Sequence, residues 1–108
     1  MSVISAQFMK FYYGVVLKQI RAIKQPLVFH NKFKVRLCAL SLESSKQMLK
    51  MLDLEYPKDS TQMPISLRDI ENGELIHHID FLINVLAENK LTFQFIDDEW
   101  ERLLKQGA

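Results

Sequence analysis

Apolar residues crowd the first stretch of the chain, residues 3–24, more densely than one helical face requires. At about 100° per residue, Ile4, Phe8, Phe11, Val15 and Ala22 fall together. Tyr12, Val16 and Ile23 lie beside them, then Met9, Ile20 and Tyr13. The apolar arc exceeds half the circumference, whereas a surface helix typically shows a face only somewhat wider than ~100°. Gln7, Lys10, Gly14, Lys18, Arg21 and Lys24 make up the narrow polar stripe that remains. Such a helix is expected to be covered from two sides, by its own domain and by a second subunit, which predicts a homodimer through the first helix.

Gln25-Pro26 ends this pattern, because proline cannot continue a helix and restricts the residue before it. The period then changes to two. Phe33, Val35, Leu37 and Ala39 alternate with Lys34, Arg36 and Cys38, which predicts a half-buried strand. Leu27, Val28 and Phe29 form a shorter strand before it, and His30-Asn31-Lys32 supplies the hairpin turn, with Asn31 able to adopt a left-handed backbone. Ser41 caps a second helix that ends near Leu54, with Leu42, Met48, Leu49 and Leu52 on its buried face and Lys46 and Lys50 toward solvent. Residues 55–65, bracketed by Pro57 and Pro64, lose all periodicity and read as a surface loop that is long by the usual connection lengths.

Ser66 and Asp69 have the spacing of a capping box, so a short helix is expected to run to Asn72 and to stop at Gly73. A long helix follows, burying Leu75, Ile76, Ile79, Leu82, Ile83 and Leu86. Residues 91–96 alternate again, with Leu91, Phe93 and Phe95 on one face, and predict a third strand. Asp97 caps a last helix whose first turn is acidic and whose last turn carries Lys105, matching the helix dipole at both ends. The expected architecture is a single compact α+β domain over residues 1–108. It is a small three-stranded sheet covered by helices, in the order α-β-β-α-α-α-β-α.

Composition narrows the setting. Cys38 is the only cysteine, which excludes an intrachain disulfide and points to a reducing, cytoplasmic compartment. Lys10, Lys18 and Arg21 interrupt the first apolar run, so no membrane span is expected there. The net charge of +1 conceals a polarity. Residues 1–54 carry nine Lys and Arg against Glu43 and Asp53, net +7, whereas residues 55–108 carry five bases against eleven acids, net −6.

That polarity singles out two groups of residues. Lys10, Lys18, Arg21 and Lys24 lie along the first helix, Lys32 sits in the turn, and Lys34 and Arg36 share one strand face. They form a basic face suited to an acidic partner. Asp97, Asp98, Glu99 and Glu101 form an acidic patch that suits a basic partner, although helix capping accounts for most of it.

Catalytic chemistry finds little material. Glu74 and His77 make one Glu-x-x-His pair, where a di-iron bundle needs two pairs and further glutamates. His77 and His78 are adjacent and point about 100° apart on a helix, so they do not converge on one metal. Cys38 could serve as a nucleophile only with His30 or His77 beside it. The three glycines are too scattered for a phosphate-binding loop, and no cofactor is implied. The expected function is therefore non-catalytic: a protein-binding regulator, whether adaptor, inhibitor or immunity-type protein, acting as a homodimer. Nucleic-acid binding through the basic half is the alternative, against which the overall pI of 7.9 counts. A small enzyme using Cys38 or the Glu74–His77 region is the third class.

Overall fold

The fold is built around the first helix, α1, which runs over residues 6–22. The computed structural model describes residues 5–95 and 98–107. Ser5 starts α1, its hydroxyl accepting from the Phe8 amide at 3.3 Å. The helix is α-helical over Ala6–Phe11, widens to a π-helix over Tyr12–Leu17 and returns to α over Lys18–Ala22. The wide turn, with its i→i+5 bonds, advances each residue by a smaller angle. Residues after Tyr12 therefore lag around the axis. Leu17 swings into the interior, while Val15 is only half-buried and Ala22 is exposed. Phe8, Phe11, Tyr12, Val16, Leu17 and Ile20 are all buried within this one chain, and Met9, Tyr13, Val15 and Ile23 pack against the same core. Most of the apolar arc is thus covered by the chain itself, Ala22 stays exposed, and Ile4 lies outside the described residues.

Strands β1 (Leu27–Phe29) and β2 (Phe33–Val35) pair antiparallel, with Leu27 opposite Val35, Val28 opposite Lys34 and Phe29 opposite Phe33. His30 and Asn31 both have positive φ, 54° and 59°, and the Lys32 amide donates to the Phe29 carbonyl at 3.0 Å. Two consecutive left-handed residues give the type I′ geometry that matches strand twist. The chain then makes a 3₁₀ turn at Leu37–Ala39, so the expected second half of the strand is absent.

Helix α2 (Leu42–Leu52) begins at Ser41, whose side chain accepts from the Ser44 amide at 3.1 Å. It is turned toward its lysine side relative to the expected face. Ser45, Leu49 and Lys50 are buried, whereas Leu42 and Met48 are exposed. The segment 54–65 closes on itself. The Tyr56 hydroxyl donates to the Ile65 carbonyl at 2.7 Å, Lys58 and Pro64 form an antiparallel bridge, and Asp59 Oδ1 accepts from the Thr61 and Met63 amides.

Only a 3₁₀ turn, Leu67–Asp69, occupies the place of the expected short helix. Helix α3 (Asn72–Glu88) starts instead at Glu71, in a capping box with Glu74, whose Oε1 accepts from the Glu71 amide at 2.8 Å. Gly73 therefore lies in the first turn of α3 and ends nothing. Leu75, Ile79, Leu82, Val85 and Leu86 are buried, with His78 among them. Helix α4 (Glu99–Gly107) packs Trp100 against Phe11 and Phe95, at ring separations of 5.6 and 6.2 Å.

The three-stranded sheet is corrected to two strands, and the helix order to α1-β1-β2-α2-α3-α4. Side-chain amides explain the missing strand. Asn89 accepts from the Val28 amide at 2.9 Å and donates to the Val28 carbonyl at 3.1 Å, occupying the edge of β1. Gln19 likewise donates to the Gln94 carbonyl and accepts from the Gln94 amide, both at 2.7 Å. Each amide takes the place of a neighbouring strand, so residues 91–95 join no sheet. Ile96 and Asp97, with the expected cap at Asp97, lie outside the described residues.

Candidate functional site

The most concentrated polar chemistry sits inside the fold, where α1, α2 and α3 meet. His78 Nδ1 lies 2.7 Å from Asp53 Oδ2, and His78 Nε2 lies 3.1 Å from the Tyr12 hydroxyl. A carboxylate only accepts, so Nδ1 carries the proton and the Tyr12 hydroxyl donates to the Nε2 lone pair. Burial holds the His78 pKa below its ordinary value, partly offset by its hydrogen bond and charge interaction with Asp53. Burial also raises the pKa of the Tyr12 and Tyr56 hydroxyls. The other Asp53 oxygen accepts from the Glu55 amide at 3.0 Å. His78 is 1% exposed and Asp53 4%, so nothing outside reaches this chain of bonds. Every member is paired, and the arrangement clamps three helices and the 54–65 segment together. Lys50 belongs to the same wall: its ammonium lies 5.4 Å from the centre of the Tyr56 ring, and burial lowers its pKa.

An open cleft of about 420 Å³, lined by Glu55, Pro57, Glu74 and His77, lies beside this clamp. Glu74 is already engaged in capping α3. Among the described residues no group of three or more His, Cys, Asp and Glu is placed to hold a metal ion. Cys38 is exposed in its 3₁₀ turn, with Sγ 4.0 Å from the Lys24 carbonyl, and among the described residues no histidine hydrogen-bonds to it. His30 turns instead toward α2, its Nε2 lying 2.8 Å from the Leu52 carbonyl.

The basic residues divide. Arg21 turns inward, donating to Ser45 Oγ at 3.3 Å and to the Leu40 carbonyl at 3.0 Å, so it ties α1 to the start of α2. Lys10, Lys18, Lys24, Lys32, Lys34 and Arg36 remain exposed, and among the described residues none of these six is in an ion pair. Lys10 and Lys18 stand on α1, while Lys32, Lys34 and Arg36 follow one another along the hairpin. In the acidic patch, Asp98 pairs with Arg102 at 3.4 Å and Glu101 is exposed. Glu99 Oε1 is buried without a hydrogen-bond partner among the described residues, beside a small cavity of about 130 Å³. Asp97 lies outside the described residues.

Two features of the surface escape the sequence pattern. The first is apolar. Phe33, Met48, Met51, Leu54 and Met63 are between 38% and 78% exposed. Met48 and Met51 are one turn apart on α2, and the hydrogen bond from His30 to Leu52 brings the hairpin turn beside the end of that helix. The second is an open sheet edge. Asn89 takes both polar backbone groups of Val28, so Val28 and Lys34 form a non-hydrogen-bonded pair in the ladder. The Lys34 N–H and C=O consequently point away from β1.

No protein-family profile, curated protein or solved structure matches the chain. Among the described residues no helix is long and apolar enough to cross a membrane.

Proposed function

We propose that this protein works by binding another protein, and that the hairpin and the outer side of α2 carry the contact. One observation supports this most: α2 turns Lys46 and Lys50 inward and leaves Met48 and Met51 outward, with Leu54 78% exposed just beyond its end. A helix free to choose its face hides methionine and shows lysine. Methionine is enriched at protein interfaces and depleted of desolvation penalty, and lysine is the reverse. Phe33, exposed among Lys32, Lys34 and Arg36, extends the same character onto the hairpin. A regulator, adaptor or inhibitor fits this surface; the buried His78 clamp supplies no open catalytic group.

The homodimer belongs to the same proposal with a changed location. Since most of the apolar face of α1 is covered by its own chain, a second copy would meet the protein at Met48 and Met51. Light scattering at micromolar concentration separates a dimer from a monomer that binds a different protein. The test of the main reading is the double variant Met51→Glu, Leu54→Glu. It should keep the wild-type melting temperature and lose its partner from extracts of the native host. Undiminished capture of the same partner contradicts the reading.

Nucleic-acid binding is the second reading, favoured by six exposed cations that are in no ion pair among the described residues. Phosphate contacts release counterions, so such binding must weaken steeply with salt. A mobility shift at two salt concentrations tests it, and no shift at low salt ends it.

A further inference from the structure

We propose that β2 is a docking edge for an extended, acidic segment of the partner, which adds to the hairpin as a third strand. The inference rests on the protein-binding reading and specifies the partner's chemistry. Three observations carry it. The Lys34 N–H and C=O point outward because Asn89 has claimed the matching groups of Val28. The backbone stays extended as far as Arg36, at φ −103° and ψ 93°, so its amide continues the outward side of the edge, while its carbonyl accepts from the Ala39 amide at 3.2 Å and ends it. Lys34 and Arg36 sit at alternate positions of this edge, Lys32 stands in the turn beside it, and all three are exposed with no ion pair among the described residues.

An unpaired strand edge is completed by another extended backbone. Charge decides whose backbone. A second copy would set Lys32, Lys34 and Arg36 against the same three cations, and like charges directly opposite one another destabilise a strand pair. The same cations attract a strand with Glu or Asp at alternate positions. Lysine on an edge is also a common guard against aggregation. A guarded edge would hide its apolar residues, yet Phe33 is 54% exposed at the head of this one. Phe33 lies on the sheet face that carries Phe29, its cross-strand neighbour, and offers an apolar contact to the added strand.

The experiment uses the full, ¹⁵N-labelled chain and an alternating Val-Glu octapeptide, with an alternating Val-Lys octapeptide and a single-stranded oligonucleotide as separate arms. The expected result is saturable binding of the Val-Glu peptide alone. Shifts centre on the Phe33 to Arg36 amides, and hydrogen exchange at the Lys34 amide slows at least severalfold. Lys34→Pro, which removes the outward N–H without touching a ladder bond, should abolish that response. Lys34→Glu should do so as well if the proline variant fails to fold. Absence of any response to the Val-Glu peptide overturns strand addition. So does binding that leaves Lys34 exchange unchanged. Stronger perturbation of the same lysines by the oligonucleotide reassigns the face to phosphate and overturns it too. A partner that is lost by Met51→Glu, Leu54→Glu but kept by Lys34→Pro overturns strand addition alone and leaves protein binding at α2 standing.

Discussion

The interior around His78 and the edge of β2 are both built from polar groups set beside aromatic rings, and they come to opposite ends. At His78 each donor meets an acceptor: Asp53 takes the Nδ1 proton, the Tyr12 hydroxyl meets Nε2, and Tyr56 bonds to Ile65. Nothing is left over to act on a ligand. At β2 the Lys34 backbone groups point away from β1, the cations on either side are in no ion pair among the described residues, and Phe33 stands open to solvent. A buried polar group left unpaired is expensive, so most such groups find partners inside the fold. An exposed one costs little because water serves it, and it stays available for recognition. His78 is thus built into the interior, and the plain strand edge is where we propose that recognition takes place.

Breaking the interior should have the largest effect. Asp53→Ala removes the acceptor of the His78 Nδ1 proton and of the Glu55 amide. It should cost about 3 kcal/mol in urea unfolding, since it strands buried groups. Tyr12→Phe leaves only His78 Nε2 unpaired and should cost about 1–2 kcal/mol. If either variant unfolds at the wild-type midpoint, the clamp is not what holds the helices together.

Acid should weaken the same region. The folded His78 pKa lies below its ordinary value of 6.5, because burial penalises the charged ring. Below that ordinary value the unfolded chain takes up a proton that the folded chain resists. The stability His78 contributes is therefore intact above pH 6.5 and falls progressively as the pH drops toward the depressed folded value. His78→Gln should flatten this part of the stability-versus-pH curve. An unchanged slope would mean that His78 does not titrate differently in the two states.

Changes at the surface should be nearly silent for stability. Lys34→Glu alters an exposed side chain and should move the unfolding free energy by less than about 0.5 kcal/mol. The same variant should lose binding to an acidic strand. A large loss of stability would mean that the edge is structural after all. Lys50→Met sharpens the contrast from the other direction. It replaces a buried ammonium over the Tyr56 ring by an apolar chain of similar length, and should raise the melting temperature slightly.

Much of the element order was legible in the residues. Ser41 caps α2 as its position suggests, the hairpin turns at His30 and Asn31, and Leu75, Ile79, Leu82 and Leu86 line the buried side of α3. The failures share a cause, which is that helical and strand periods say nothing about side chains reaching across the fold. Residues 91–95 alternate like a strand, but Gln19 and Asn89 occupy the backbone positions a third strand would need. Helix α2 has an apolar face on paper, but Tyr13 accepts from Lys46 at 2.9 Å and the Tyr56 ring faces Lys50, and these contacts turn it. The π segment in α1 shifts the register of every later residue and has no composition of its own. Of the basic residues, Arg21 gave no sign of its inward turn, since the Leu40 carbonyl and Ser45 lie 19 and 24 positions away in the chain. The open edge of β2 was invisible because it depends on what Asn89 does to Val28.

Amide hydrogen exchange on the free protein tests the central contrast most directly. The Val28 amide, bonded to Asn89 Oδ1 at 2.9 Å, should be protected, and the Lys34 amide opposite it should exchange orders of magnitude faster, near the rate of an unstructured chain. A Lys34 amide protected as strongly as that of Val28 would mean that the edge is already covered, and the account of β2 as the recognition surface would fail.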